Sequence, residues 1–153
     1  MRISSPEFED GGRIPTAFTC EGEGISPPLV VEDVPSEAVS LTLIMDDPDA
    51  PRGTFDHWII WNLPADMRTL PAAIPDDPTV EGLGAAVQGE NDFGRIGYDG
   101  PCPPPGKEHR YRFHVYALDT TLNLSPGATR DRVERAMEGH VVAEAEMVGV
   151  YGR

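Results

Sequence analysis

The chain has 153 residues, 16 of them glycine and 16 proline, with 39% hydrophobic and 25% charged side chains. That length suits one domain, residues 1–153, with a sizeable core, and breakers scattered without a period exclude collagen and a bundle of long helices. The formal net charge is −14, from 26 acidic against 12 basic residues, so the general surface repels nucleic acid and anionic membranes.

The first thirty residues are turn-rich, with Asp10-Gly11-Gly12, Gly22-Glu23-Gly24 and Ser26-Pro27-Pro28. Val39–Met45 is short, aliphatic and β-branched, bounded by Pro35 and by Asp46-Asp47-Pro48, and reads as a central strand. Phe55–Leu63, closed by Pro64, reads as a second. A proline-rich connection follows through Pro71, Pro75 and Pro78, then a short strand over Ala85–Gln88. His109–Leu118 alternates most clearly. Tyr111, Phe113, Val115 and Ala117 share one face, and Arg110, Arg112, His114 and Tyr116 the other. One helix is expected over Thr129–Glu138. Val133, Ala136 and Met137 form its apolar stripe, and Gly139 sits at the stop. His140–Tyr151 alternates and reads as a strand rather than a helix. The expected fold is mainly β: a two-sheet antiparallel sandwich with one or two short helices.

Eleven of the basic residues are arginine, and Lys107 is the single lysine. This balance fits a salt-rich cytosol and equally an acidic protein from an organism that favours arginine. No apolar run approaches the ~20 residues of a membrane span. Met1–Glu9 is charged, unlike a secretory leader, so the expected location is cytoplasmic. Cys20 and Cys102 are too few for a secreted disulfide framework, and in a cytosol they are expected as thiols unless the fold brings them together. Asn123-Leu124-Ser125 matches a glycosylation sequon but is followed by Pro126 and is discounted.

Three segments just outside predicted strands concentrate polar and special-backbone residues. In Asp46-Asp47-Pro48-Asp49-Ala50-Pro51 the prolines restrict where the carboxylates point. By itself the segment reads better as an ordinary turn with solvated aspartates. In Phe55-Asp56-His57-Trp58 the strand-edge His57 suits a ligand contact, a metal ligand or a packed histidine, the last being commonest. Gly97–Gly106, running into His109-Arg110-Tyr111, is either a rigid connector or a stiff pocket wall whose glycines admit a ligand to the backbone.

Together these segments resemble the phosphatidylethanolamine-binding protein family, most closely its bacterial and archaeal Raf-kinase-inhibitor-like branch. The resemblance is carried by DPDAP (Asp47–Pro51), FDHW (Phe55–Trp58), GENDFG (Gly89–Gly94), GYDGPCPPPG (Gly97–Gly106) and HRYRFHVYALD (His109–Asp119). Thr19–Leu29 and Gly139–Arg153 add to it, so it spans nearly the whole chain in family order. It implies a β-sandwich with an anion-accepting pocket at one end. Asp47 and Pro51 match the ends of the DPDAP motif, and His57 matches the histidine of the next strand. Gly100 and Pro101 match the pocket loop, His109 and Tyr111 the HxY pair, and Phe55 an aromatic wall. The chain departs from eukaryotic members at Cys102, where they tend to have proline, and in stopping at Arg153 without their C-terminal helix, a difference that bears on ligand size and membrane-lipid binding; kinase inhibition, described for eukaryotic members, is not assumed. The resemblance also places Cys20 and Cys102 close together.

The expected function is binding of a small anion or phosphorylated head group, with regulation through a protein partner as an extension. A phosphate or carboxylate oxygen would accept hydrogen bonds from His57, His109, loop N–H groups and Tyr111. Asp47 would either orient a histidine or accept from an ammonium group. The competing class is an enzyme, a hydrolase or a three-ligand zinc site on Asp47, His57 and His109, although no nucleophile is evident. A third is a module inhibiting a kinase or protease through the pocket rim. No cofactor, nucleic acid or stable membrane association is expected, and a homodimer is left open.

Overall fold

The structure is a computed structural model that describes residues 1–153. Nine strands and one α-helix form in chain order: β1 (Arg2–Ser4), β2 (Leu29–Glu32), β3 (Ser40–Asp47), β4 (Phe55–Pro64), β5 (Thr69–Leu70), β6 (Thr79–Val80), β7 (Ala86–Gln88), β8 (His109–Leu118), α1 (Arg130–Met137) and β9 (Val141–Tyr151). Short 3-10 turns lie at Thr16–Phe18 and Glu81–Leu83. No helix is long and apolar enough to cross a membrane.

A three-stranded sheet, β1-β2-β5, packs on a six-stranded sheet, β6-β7-β4-β3-β8-β9. All pairings between these strands are antiparallel. The expected sandwich is therefore present. Its smaller sheet comes from the part of the chain that reads as turns, because β1, β2 and β5 are too short for alternation to stand out.

The large sheet is buried on both faces. Leu41, Leu43 and Met45 of β3 join Trp58, Ile60, Phe113 and Val115 in the core between the sheets. Ile44 joins Ile59, Trp61 and Leu118 on the opposite face, where Val133 and Met137 of α1 cover them. This explains the unbroken apolar run of β3, all eight of whose residues are buried. The helix ends as expected: Gly139 has φ +78°, and the His140 N–H donates to the Met137 carbonyl.

Two irregularities in the β3–β4 ladder position side chains. Near the far end Asn62 takes φ +58° and the register shifts between Leu41 and Leu43. At the near end Met45 pairs with Trp58 but Asp46 pairs with Asp56, so His57 is an extra residue in β4. Asp56 then stays on the face of Asp46, and His57 turns to the face of Tyr111, whose ring centroid lies 5.4 Å from its own.

The two cysteines form a disulfide, with Cα atoms 5.4 Å apart and a sequence separation of 82. The proximity is as expected. The expectation of free thiols is corrected, because the fold brings residues 18–20 against the 100–102 loop. The Cys20 N–H donates to the Pro101 carbonyl, and the Tyr98 hydroxyl to the Phe18 carbonyl.

Candidate functional site

The open end of the sandwich holds a cavity of about 160 Å³ lined by Asp47, Ala50, Pro51, Phe55, His57, Phe93, Cys102, Pro103, Pro104, His109 and Tyr111. This is below the range of about 300–1,000 Å³ usual for drug-sized ligands. It suits a small group with an apolar surround.

The strand ends bring the side chains together. Asp47 closes β3, Phe55 and His57 open β4, and His109 and Tyr111 open β8. The Asp47 carboxylate is buried and doubly engaged. Its Oδ1 accepts the Asp49 N–H at 2.8 Å, and its Oδ2 lies 2.7 Å from His109 Nδ1. A carboxylate can only accept, so His109 donates from Nδ1 and turns Nε2 outward. His57 is held in the same tautomer by a different partner, its Nδ1 lying 2.7 Å from the Asp99 carbonyl oxygen. Neither Nε2 has a protein partner, and neither is among the sealed polar atoms of the interior.

Three buried polar atoms lack any partner: Thr42 Oγ1, Trp61 Nε1 and the Tyr111 hydroxyl. Only Tyr111 borders the cavity. Burial, then the Asp47 charge and the closeness of that carboxylate to the hydroxyl, raise the Tyr111 pKa well above the usual phenol value, so the hydroxyl stays protonated and faces Asp47 rather than solvent. Burial lowers the His57 pKa. The hydrogen bond to Asp99 and the charges of Asp47, Asp99 and Asp46 act in the opposite direction and are outweighed.

A loop absent from the sequence-based site completes the wall. Asn91 is buried, and its side-chain oxygen accepts the Phe93 and Arg95 N–H groups at 2.9 and 3.2 Å. Its amide donates to the Gly97 carbonyl at 3.1 Å and to the Asp99 carboxylate at 2.7 Å. Arg95 adds two bonds to the same carboxylate. Asn91 thus fixes both Phe93, whose ring meets Phe55 and His57 edge-on, and the residue whose carbonyl sets the His57 tautomer.

A model of the family described as phosphatidylethanolamine-binding protein matches residues 4–152. A UPF0098 protein of Pyrococcus abyssi is 55% identical over 154 residues, covering 100% of this chain and 85% of its own. The chain belongs to the phosphatidylethanolamine-binding protein family. Two crystal structures agree with this. A putative phosphatidylethanolamine-binding protein homolog from Chlamydia trachomatis has a TM-score of 0.91 at 42% identity, covering 99% of this chain and 97% of its own. E. coli YbcL, described as a new member of the mammalian family, has a TM-score of 0.91 at 33% identity, covering 99% and 98%.

Of the expected site residues, Asp47, Pro51, Phe55, His57, His109 and Tyr111 line this family member's cavity. Gly100 and Pro101 do not. A Cβ on Gly100 would lie 2.4 Å from the Phe18 carbonyl oxygen, so that glycine serves the contact behind the wall. The neighbouring Cys102, Pro103 and Pro104 face inward instead. The reading of the 46–49 aspartates as solvated is corrected, since all three have fixed partners: Asp46 with Arg112 and Arg130, Asp47 with His109, and Asp49 with Arg110. Phe93 and Asn91 were missed as site residues. Both lie in the GENDFG stretch, but a phenylalanine and an asparagine in a loop carry no chemical signal of their own.

Proposed function

We propose that this chain binds a small anionic group, a phosphate or phosphorylated head group, in the cavity between His57 and His109. The observation that carries this reading is the pair of oriented imidazoles, each with an unpartnered Nε2, on the lining of one cavity. Buried polar groups in folded proteins are nearly always paired, so a cluster of unpaired ones at an opening suggests a ligand that pairs them. Asp47 is better suited to orienting His109 than to receiving an ammonium group, because both its oxygens already accept hydrogen bonds.

Binding is favoured over catalysis. Cys102, the one cysteine of the pocket loop, is bridged to Cys20 and offers no thiol. Asp47 bonds to His109 instead of converging with it and His57 on a point, and no group of three metal-binding side chains has the spacing to hold an ion. Regulation through a protein partner is a second reading, favoured by the apolar rim: Phe93 is 41% exposed, and Pro51 and Pro104 are also exposed.

Calorimetric titration with inorganic phosphate tests the first reading. Saturable heat that disappears in His109→Ala supports it. Absence of binding by the folded protein at millimolar phosphate overturns it.

A further inference from the structure

One wall of the cavity is built unlike the others. Asp47, Phe55, His57, His109 and Tyr111 belong to strands of the large sheet, whereas Cys102, Pro103 and Pro104 belong to the loop Gly100-Pro101-Cys102-Pro103-Pro104-Pro105-Gly106. Proline has no backbone N–H, so this wall is tied to the body through its carbonyls. The Pro101 carbonyl accepts from the Cys20 N–H at 3.1 Å, and the Pro103 carbonyl accepts from Arg153 Nε at 2.7 Å. The one covalent tie is the Cys20–Cys102 bridge.

The wall is also stiff. Proline fixes its own φ and restricts the residue before it, which covers 101–105 almost completely. Its far end has room to pivot. Gly106 takes φ +107° with no atom within 4 Å of where a Cβ would sit, and its N–H stays bonded to the Arg153 carbonyl at 3.1 Å. The bridged end lies at the surface, where Cys20 and Cys102 are both exposed. Neither cysteine belongs to the hydrophobic core. Exposed disulfides are the ones open to exchange with solvent thiols.

We propose that the Cys20–Cys102 bridge is a redox latch: oxidised, it holds the 101–105 wall against the cavity, and reduced by a dithiol it frees that wall while the sandwich stays folded. The dithiol supplies the two electrons. One of its thiolates attacks a bridge sulfur, and the other bridge sulfur leaves as a thiolate and takes up a proton. The second thiol of the reagent then displaces the protein from the mixed disulfide, leaving two protein thiols and an oxidised reagent. A purely structural staple is the competing role, and it predicts that all parts of the molecule loosen together.

The test is reduction of the intact protein with dithiothreitol in the absence of denaturant, read by iodoacetamide labelling, amide hydrogen exchange and calorimetry with inorganic phosphate. There are no other cysteines to confuse the labelling. Both should become alkylated together at millimolar reductant and be protected again after reoxidation. The Cys20 amide, whose bond to Pro101 reports the tie, should accelerate about tenfold or more beyond the buried amides of β3 and β8. If the freed wall is closed about a tenth of the time, phosphate affinity falls about tenfold. Cys20→Ser should behave as the reduced protein does and ignore dithiothreitol.

A bridge that resists dithiothreitol until the protein is denatured overturns the latch. Equal acceleration of the Cys20 and core amides overturns it too, in favour of the staple. So does phosphate binding equally tightly in both redox states. If phosphate binds neither state, the anion-binding reading fails, while labelling and exchange still decide the latch. The wild-type series is sufficient even if the variant does not fold.

Discussion

Asp46 and Asp47 are consecutive residues of one strand with the same side chain on opposite faces of the large sheet. Asp46 points toward α1, where it is fully buried and saturated. Arg112 donates to both of its oxygens at 2.7 and 3.1 Å, Arg130 adds a bond of 2.7 Å, and His114 Nε2 lies 3.2 Å away. Arg130 also reaches Asp56 at 2.8 Å, closing a network across β3, β4, β8 and α1. Asp47 points the other way, to the cavity, where it accepts from His109 and the Asp49 N–H while the Nε2 atoms of His57 and His109 are without protein partners. A single residue of register separates a group that holds the helix to the sheet from one that orients a histidine on the cavity wall. Polar satisfaction distinguishes the two faces where residue type does not.

The largest expected effect is on the saturated face. Asp46→Asn keeps the shape but removes the charge that neutralises two partly buried arginines. Breaking one side of such a pair costs about 3–5 kcal/mol, and chemical denaturation should show a loss of that order with phosphate binding retained. The acid limb of stability should change with it. Burial alone would raise the Asp46 carboxyl, but hydrogen bonds from His114, Arg112 and Arg130 outweigh it and hold the pKa well below the usual range. The unfolded chain then binds the proton first. The stabilisation is complete above about pH 4 and is lost as pH falls toward the folded pKa. Asp46→Asn should flatten this limb. An unchanged acid limb would mean that the network is not what holds the helix.

Next in size is the wall of the open face. The disulfide joins the exposed Cys20 to Cys102 on the cavity lining. Cross-links of this kind typically contribute about 2–4 kcal/mol. Cys20→Ser with Cys102→Ser should lower stability by about that much and weaken phosphate binding, because Pro103 and Pro104 lose an anchor. Retained affinity alongside the stability loss would show that hydrogen bonds such as Cys20 N–H to Pro101 suffice to hold the wall.

The contrast also accounts for what could be read beforehand. The five longest elements were legible within one or two residues, because each has a period or an apolar run long enough to register: β3, β4, β8, α1 and β9. The small sheet was hidden by its brevity. Cavity residues were found through motifs, and what was missed depends on geometry alone. Asp46 looks like Asp47 in a proline turn, and only pairing with Arg112 and Arg130 across 66 and 84 positions of sequence reveals its different task. The extra residue that turns His57 is equally invisible, since FDHW carries no mark of where the partner strand slips. Gly100 was read as a ligand-facing residue when its hydrogen atom is needed for contact with Phe18.

Smaller effects are expected on the open face itself. His57→Ala should weaken phosphate binding by on the order of 1.5–3 kcal/mol, the range for a hydrogen bond to a charged group, with the fold preserved. Unchanged affinity would remove His57 from the site. Its titration differs from that of Asp46. Burial lowers the folded pKa from 6.5, so the unfolded imidazole takes up a proton first. This contribution is complete above about pH 6.5 and declines as pH falls below it. The two faces should therefore produce separate limbs, one starting near pH 6.5 and removed by His57→Ala, the other starting near pH 4 and removed by Asp46→Asn.

The smallest effect should come from salt, which acts on neither buried face but on the surface outside both. A net charge of −14 opposes compaction through self-repulsion. Raising KCl from 0.1 to 1 M shortens the screening length from about 10 Å to about 3 Å. That distance suppresses repulsion between exposed carboxylates and barely touches contacts of 2.7 Å inside the Asp46 network. Stability should rise by under about 1 kcal/mol, equivalent to roughly 2–4 °C in Tm for a chain of this size. At the cavity the effects oppose each other: salt lowers the repulsion an arriving anion meets and competes for the same donors, so affinity should change little. Thermal melts across the KCl series are the measurement. A flat or falling Tm would defeat the salt-rich reading of the composition and leave an acidic protein with arginine bias. A rise retained in Asp46→Asn would place the salt effect on the surface and not in the network.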